Sequence, residues 1–197
     1  MSIESRPTIG VSAPAVMIVM GVSGSGKSTI GALLARRLHW EFEDADWLHP
    51  PSNIDKMHNG IPLTDEDRQP WLEAVAVWID QTRRSGRHAV VACSALKRRY
   101  RNILIGGRAD VRLVYLKGNE TLIARRIATR HEHFMPLNLL HSQFEALEEP
   151  GPDEAAIIAS IEPEPREIAT RILSALNMVE GALPPDQAPL GSTGPAA

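Results

Sequence analysis

A single cysteine, Cys93, excludes any disulfide within this 197-residue chain. Stability must come from a packed core, and the expected setting is the cytoplasm. An excess of one charge sign is missing too. The formal net charge of −3 argues against a general binder of nucleic acid or membrane surfaces, but it allows a local basic pocket. Long apolar runs are absent: Val11 to Val22, the longest uncharged one near the start, is too short and too interrupted to span a bilayer. The first fourteen residues carry Glu4 and one arginine, which is not a signal-peptide pattern. Residues 1–14 also lack periodicity and are expected to form a flexible arm. Residues 181–197 hold Pro184, Pro185, Pro189, Pro195 and three glycines with almost no charge, which predicts a disordered tail.

What is present lies between these ends, in residues 15–180. Strand and helix patterns alternate there. They predict a strand at 15–20, a helix at 27–38, a short strand at 40–44 and a short helix at 52–58. A longer helix at 66–84 follows from the spacing of Trp71, Leu72, Val75, Trp78 and Ile79. Pro70 fits it only in the first turn. Strands at 87–92 and 111–116 flank a helix at 95–105. Asn119 caps a helix running to about Arg130. Residues 131–152 read as a polar connection, 155–161 as the last strand and 165–176 as the last helix. Five strands joined by crossover helices make a parallel three-layer α/β domain.

The most informative stretch is Gly21-Val22-Ser23-Gly24-Ser25-Gly26-Lys27-Ser28. It fits G-x-x-x-x-G-K-[ST] at every fixed position, and Thr29 completes the run. An apolar strand precedes it, and Ile30, Leu33, Leu34 and Leu38 follow at helical spacing. That is the context a phosphate-binding loop requires. Gly21, Gly24 and Gly26 let the backbone bring its N–H groups up to phosphate oxygens. The helix N-terminus adds its positive dipole end. Lys27 reaches the β- and γ-phosphates, and the Ser28 hydroxyl can ligate Mg²⁺. A chance Gly/Ser-rich turn would not bring strand and helix with it.

The loop says nucleoside triphosphate, so the acceptor must be sought elsewhere. Asp44 and Asp46 end the second strand, where the ligand crevice of a parallel sheet opens. At i, i+2 of an extended chain they project to one side. One carboxylate would support the metal, and the other would accept a hydroxyl proton. The alternative is a solvated acidic loop. His49, Lys56 and Arg68 lie in a stretch that mixes polar, cationic and indole groups. They suit an anionic polyol, although each alone is commonly a surface residue. Thr64 and Asp67 have the spacing of a helix N-terminal box. No carboxylate follows Val90-Val91, so metal ordering falls to Ser28 and the aspartates. Ser94 is expected at a helix N-terminus, with Lys97 and Arg101 on one face of that helix. Arg125, Arg126 and Arg130 precede His131 and His133 in a segment suited to closing over a triphosphate. The two histidines have no third ligand at sensible spacing and are not read as a metal site. Cys93 reads as a buried small residue.

At these residues the chain resembles the short P-loop gluconokinases, relatives of shikimate kinase and the nucleoside monophosphate kinases. The pieces are Gly21–Ser28, Asp44–Pro50, Asn53–Met57, Pro62–Asp65, Asp67–Leu72, Cys93–Lys97, Tyr100-Arg101, Val114–Gly118, His133-Phe134, Ser142–Glu145 and Leu147–Pro150. The resemblance implies a three-layer P-loop NTPase fold with a five-stranded parallel sheet. It implies ATP, Mg²⁺, transfer of the γ-phosphoryl group to the 6-hydroxyl of D-gluconate, a cytoplasmic setting and a homodimer. Carried over by position, Asp46 is the base or acceptor-orienting group and Asp44 supports the metal. Arg68 takes the sugar-acid carboxylate, with His49, Lys56 and Lys97 nearby. Arg126 or Arg130 acts from a lid at about 126–138. Pro163-Glu164-Pro165 falls where relatives place an adenine loop. Ser94-Ala95 stands where shikimate kinase has a glycine run, so the acceptor pocket should differ. The rival readings are a kinase for shikimate or another hydroxy acid, a nucleoside monophosphate kinase, and a non-catalytic nucleotide-binding regulator.

Overall fold

The computed structural model describes residues 13–128 and 137–178, the side chains of 137–139 excepted. Five strands form one sheet: β1 (Val16–Met20), β2 (Glu41–Asp44), β3 (Ala89–Ala92), β4 (Val111–Lys117) and β5 (Ile157–Ser160). Their order is β2-β3-β1-β4-β5, and every pairing is parallel. The apolar run of β1 is fully buried, as a central parallel strand covered on both faces must be. Both neighbours of β1 pair with it along its length, Ile18 lying between Val91 and Leu113. Its C-terminal end therefore opens on the crevice of the sheet.

The period of two along β1 divides the core. Met17 and Val19 face a cluster with Leu34 and Leu38 of α1 (Lys27–Leu38), Ile123 of α5 (Glu120–Ala128), and Ile168 and Ile172 of α7 (Pro165–Ala175). Val16, Ile18 and Met20 face the other cluster, with Trp71, Leu72, Val75 and Ile79 of α3 (Asp65–Arg84) and Leu104 of α4 (Arg98–Ile105). This is the expected three-layer arrangement. The remaining helices are α2 (Pro51–His58) and α6 (Leu137–Ala146).

Thr64 and Asp67 do form a capping box. The Asp67 N–H donates to Thr64 Oγ1 at 3.2 Å, and the Thr64 N–H donates to Asp67 Oδ2 at 2.9 Å. Three expectations need correction. Pro70 is the sixth residue of α3, so it lies in the second turn and deprives the Glu66 carbonyl of its i+4 donor. The fourth helix begins at Arg98, not 95, because Ala95 has a left-handed φ of 45° that no helix can include. Ser94 is thus not at a helix N-terminus, and Lys97 is the cap residue. Finally, the polar connection 131–152 contains α6, which packs on the core through buried Leu140 and half-buried Phe144. The chain before residue 13, Arg130, His131, His133 and the tail from 181 lie outside the described residues.

Arg101 is not on a solvated face. Only 1% exposed, it meets Glu154 through Nε–Oε2 at 2.5 Å and Nη2–Oε1 at 2.8 Å. Its Nη1 donates to the carbonyls of Ala95, Leu96 and Glu148 at 3.2, 3.1 and 2.9 Å. One guanidinium thereby ties the 93–97 loop to the 147–154 connection. Removing one partner of such a pair strands a buried charge. Arg101→Met should therefore cost about 3–5 kcal/mol in urea unfolding. The Arg101 hydrogen bond holds the Glu154 carboxyl below its ordinary 4.5, so the pair stabilises above that pH and its contribution fades as pH falls below it. Unfolding followed against pH should show this acid-side component in the wild type and not in Arg101→Met.

Candidate active site

The glycine loop begins where β1 ends. Gly24 has φ 79°, and a Cβ there would lie 2.8 Å from Ile127 Cγ1. Gly26 has φ 96° and caps α1 from the left-handed region, which a residue with a side chain rarely adopts. The first turn of α1 then presents Lys27, half-buried, and Ser28 and Thr29, both exposed. Lys27 Nζ donates to the Val22 carbonyl at 3.2 Å. Burial of this ammonium lowers its pKa, and the charge of Asp46, then of Asp44, opposes the drop.

Asp44 closes β2, and its Oδ2 accepts the Ser28 hydroxyl at 2.6 Å. Its Oδ1 accepts the Asp46 N–H at 3.2 Å. Contrary to the sequence expectation, the two aspartates do not share an extended chain, because a 3-10 turn spans Ala45–Leu48. They nevertheless line the same cleft of about 700 Å³, together with Lys27, Ser28 and Thr29. Asp46 is exposed as a residue, yet partial desolvation of its carboxyl by the cleft walls, then the charge of Asp44, raises its pKa, while Lys27 pulls it down. A carboxylate and an ammonium that tune each other, beside a hydroxyl–carboxylate pair, can orient a hydroxyl, receive its proton and stabilise a transferred anion.

His49, Lys56, Arg68 and Lys97 are not brought into this cleft. His49 is buried, stacks on Trp71 with ring centroids 4.2 Å apart, and its Nδ1 accepts from the Asn53 amide at 3.2 Å. Burial, aided by the Arg68 charge, lowers its pKa to about 4, so it is neutral at physiological pH. Lys56 is paired with Asp67 at 2.6 Å, and Lys97 with Asp65 at 3.0 Å. Asp65 also takes Arg99 and the Tyr100 hydroxyl. Arg68 donates to the Leu63 and Thr64 carbonyls. These groups bind α2, α3 and the 93–97 loop to one another. The Trp71 indole N–H adds a bond of 2.6 Å to the Ala45 carbonyl, fixing the turn that carries Asp46.

The wall opposite the glycine loop is instead Trp47, Ile54, Met57 and His58. The i, i+3, i+4 spacing of the last three on α2 was a legible signal for one face. Gln143 of α6 was also missed as a site residue: its Oε1 accepts the Ser23 N–H at 2.7 Å. Arg126 donates to the Ile161 carbonyl, on the approach to α7. A second cavity of about 690 Å³ lies there, between Thr29, Leu33 and Arg36 of α1 and Glu164, Pro165 and Arg166. Thr29 borders both cavities, so the segment expected to hold an adenine adjoins the glycine loop. Cys93 is fully buried, and burial pushes its thiol up to about 12, which leaves it no nucleophilic role at neutral pH.

The chain matches the AAA domain family over residues 16–150. It is 46% identical to a gluconokinase of Gluconobacter oxydans over 152 residues, 77% of this chain and 85% of that protein. Against the thermoresistant gluconokinase of Escherichia coli the identity is 43% over 143 residues, 73% of this chain and 82% of the relative. Among solved structures, a gluconokinase from Sinorhizobium meliloti is 41% identical with a TM-score of 0.77, covering 84% of this chain and 93% of that one. A shikimate kinase from Aquifex aeolicus, 20% identical with a TM-score of 0.52 over 82% of this chain and 96% of that one, shares the fold alone. With a parallel five-stranded sheet, a complete phosphate-binding loop and these relatives, the chain belongs to the gluconokinase family of P-loop kinases.

Proposed function

We propose that this protein transfers the γ-phosphoryl group of ATP to the 6-hydroxyl of D-gluconate, giving 6-phospho-D-gluconate and ADP. The observation that carries the reading is the convergence of Lys27, the Ser28–Asp44 pair and Asp46 on one cleft of a gluconokinase-family chain. The backbone of Gly21 to Thr29 cradles the triphosphate. Lys27 leaves the Val22 carbonyl for the transferring phosphoryl oxygens. Asp46 accepts the hydroxyl proton as the oxygen attacks, and its raised pKa makes it a better base than a free aspartate.

Ser28 Oγ and Asp44 Oδ2, 2.6 Å apart, are hard oxygen donors at the phosphate end of the cleft, which fits Mg²⁺. Mg²⁺ held by so few protein oxygens would keep several waters and take phosphate oxygens. Bound there, Mg²⁺ would neutralise charge on the β- and γ-phosphates. Arg68 is the proposed partner of the gluconate carboxylate, exchanging the Leu63 and Thr64 carbonyls for it. His49, Lys56 and Lys97 then act indirectly, by holding the acceptor side together. A lid arginine, Arg126 or Arg130, and a cytoplasmic homodimer complete the reading, both supported by the resemblance alone. Among the described residues no helix is long and apolar enough to cross a membrane.

An ADP-release assay over gluconate, other aldonates, shikimate and nucleoside monophosphates tests the substrate. Preferred turnover of gluconate is expected, and equal rates with shikimate would sink the specific claim. Lys27→Ala should lower kcat by about 10²–10³-fold with the fold intact by circular dichroism. Asp46→Asn should lower kcat by about 10²–10⁴-fold while ATP affinity changes little. The wild-type rate should fall on acidification through a pKa above the ordinary 3.8 of aspartate, because only the carboxylate form accepts the proton. Arg68→Ala should raise the gluconate KM roughly ten-fold with kcat preserved. An unchanged KM would remove Arg68 from the pocket.

A further inference from the structure

The crown of the glycine loop, Val22 to Ser25, is gripped by two helices. From α5 the contact is apolar: a Cβ on Gly24 would meet Ile127 at 2.8 Å and Ile123 at 3.0 Å. From α6 it is polar, the 2.7 Å bond from the Ser23 N–H to Gln143 Oε1. Ser23 and Gln143 are far apart in sequence, so α6 must be seated firmly for its side chain to reach the loop. Leu140, one turn earlier, is 1% exposed in the core with Ile123. His141 Nδ1 lies 3.2 Å from Glu120 of α5. Just after α6, the Glu148 N–H donates to the Leu96 carbonyl at 2.9 Å.

The Ser23 N–H and the Val22 carbonyl belong to one planar peptide unit, so turning one turns the other. The Val22 carbonyl accepts Lys27 Nζ at 3.2 Å and the Ser25 N–H at 3.2 Å. The same peptide plane is thus pinned at its N–H end by Gln143 and at its C=O end by Lys27 and Ser25. We propose that Gln143 is a positioning residue for phosphoryl transfer, acting through the Val22–Ser23 peptide to set the loop crown and the resting place of Lys27. Without the Gln143 oxygen, a half-buried N–H loses its partner and the plane is held at its C=O end alone, by Lys27 and Ser25. The phosphate-facing amides beyond it, and the carbonyl from which Lys27 departs, lose their fixed geometry. Gln143 stands in Ser142–Glu145, a piece of the family resemblance to which no chemistry had been assigned. The inference rests on the loop binding ATP, as proposed above.

Gln143→Met keeps the length of the side chain and removes the acceptor. In the nucleotide-free protein, amide exchange at Ser23 should be several-fold faster in this variant than in wild type. The kcat/KM for ATP should drop by roughly three- to ten-fold, with the gluconate KM within about two-fold of wild type. Gln143→Glu retains an acceptor and should restore Ser23 protection. Equal Ser23 exchange in wild type and Gln143→Met, or faster exchange with unchanged ATP kinetics, overturns the role. Should Gln143→Met fail to fold, wild type decides: a Ser23 amide exchanging at the rate of an open chain overturns the proposal. If wild type shows no turnover of ATP with gluconate, the proposed function fails and the exchange data still judge the bond. If wild type is active and Gln143→Met matches it, only the role of Gln143 fails.

Discussion

The site depends on keeping one ammonium charged in a place where water is scarce. Lys27 is desolvated by the loop that wraps it, and desolvation favours the neutral amine. A neutral amine would not hold a triphosphate. The chain answers with Asp46 and Asp44, whose charges oppose that loss, and with the Val22 carbonyl as a resting acceptor. The same interaction works in reverse on Asp46. Desolvation and Asp44 raise its pKa, and Lys27 limits the rise. The positions of β1 and β2 in the sheet matter because they deliver these charges to each other. β1 ends at the loop that carries Lys27, and β2, one strand beyond β3, ends at Asp44.

Charge pairing also explains the lysines around α3. Lys56 and Lys97 are each opposed by an aspartate from the first turn of α3, Asp67 and Asp65. Acidic residues at that helix end are stabilised by the dipole whether or not a lysine is near. The lysines then join neighbouring elements to α3 at small further cost. Each pair is partly exposed, so it contributes little to stability and mainly fixes geometry. The Arg101–Glu154 pair is different because water does not reach it. It anchors the 93–97 loop, whose Ser94 carbonyl accepts the Gly21 N–H at 3.3 Å. Through that bond the buried pair supports the first residue of the phosphate loop.

The sheet and its helices were legible because apolar periodicity reports directly on burial. The β1 run, the Trp71–Ile79 spacing and the glycine motif each encode their own environment. The places of the cations expected to bind an acceptor were less legible for a physical reason. A lysine or arginine near a carboxylate-binding cleft has the same appearance in sequence as one near a structural aspartate. Only the partner's position separates the two, and Asp65 and Asp67 lie far enough from Lys97 and Lys56 in the chain to hide the pairing. Helix α6 was legible in part: Leu140, Phe144 and Leu147 recur at helical spacing and pack on the core, although Pro136, Pro150 and the polar residues between them suggest a loop. The left-handed Ala95, which delays α4 to Arg98, carries no glycine to announce it.

Gln143 marks the limit of that legibility most clearly. Nothing in its spacing or type indicates a bond to a loop near the other end of the chain. The geometry makes sense only once the loop's own problem is stated. Glycines let the crown turn, and the same freedom leaves its peptide planes poorly held. A loop that must present amides to phosphate without reorganising needs restraint from outside. It comes from α5 and α6, where Ile123 and Ile127 press on Gly24 and Gln143 takes the Ser23 N–H. The flexibility that the glycine motif introduces in sequence is therefore removed by α5 and α6 in the fold. That division of labour is why the motif can be recognised in isolation although its geometry depends on distant residues.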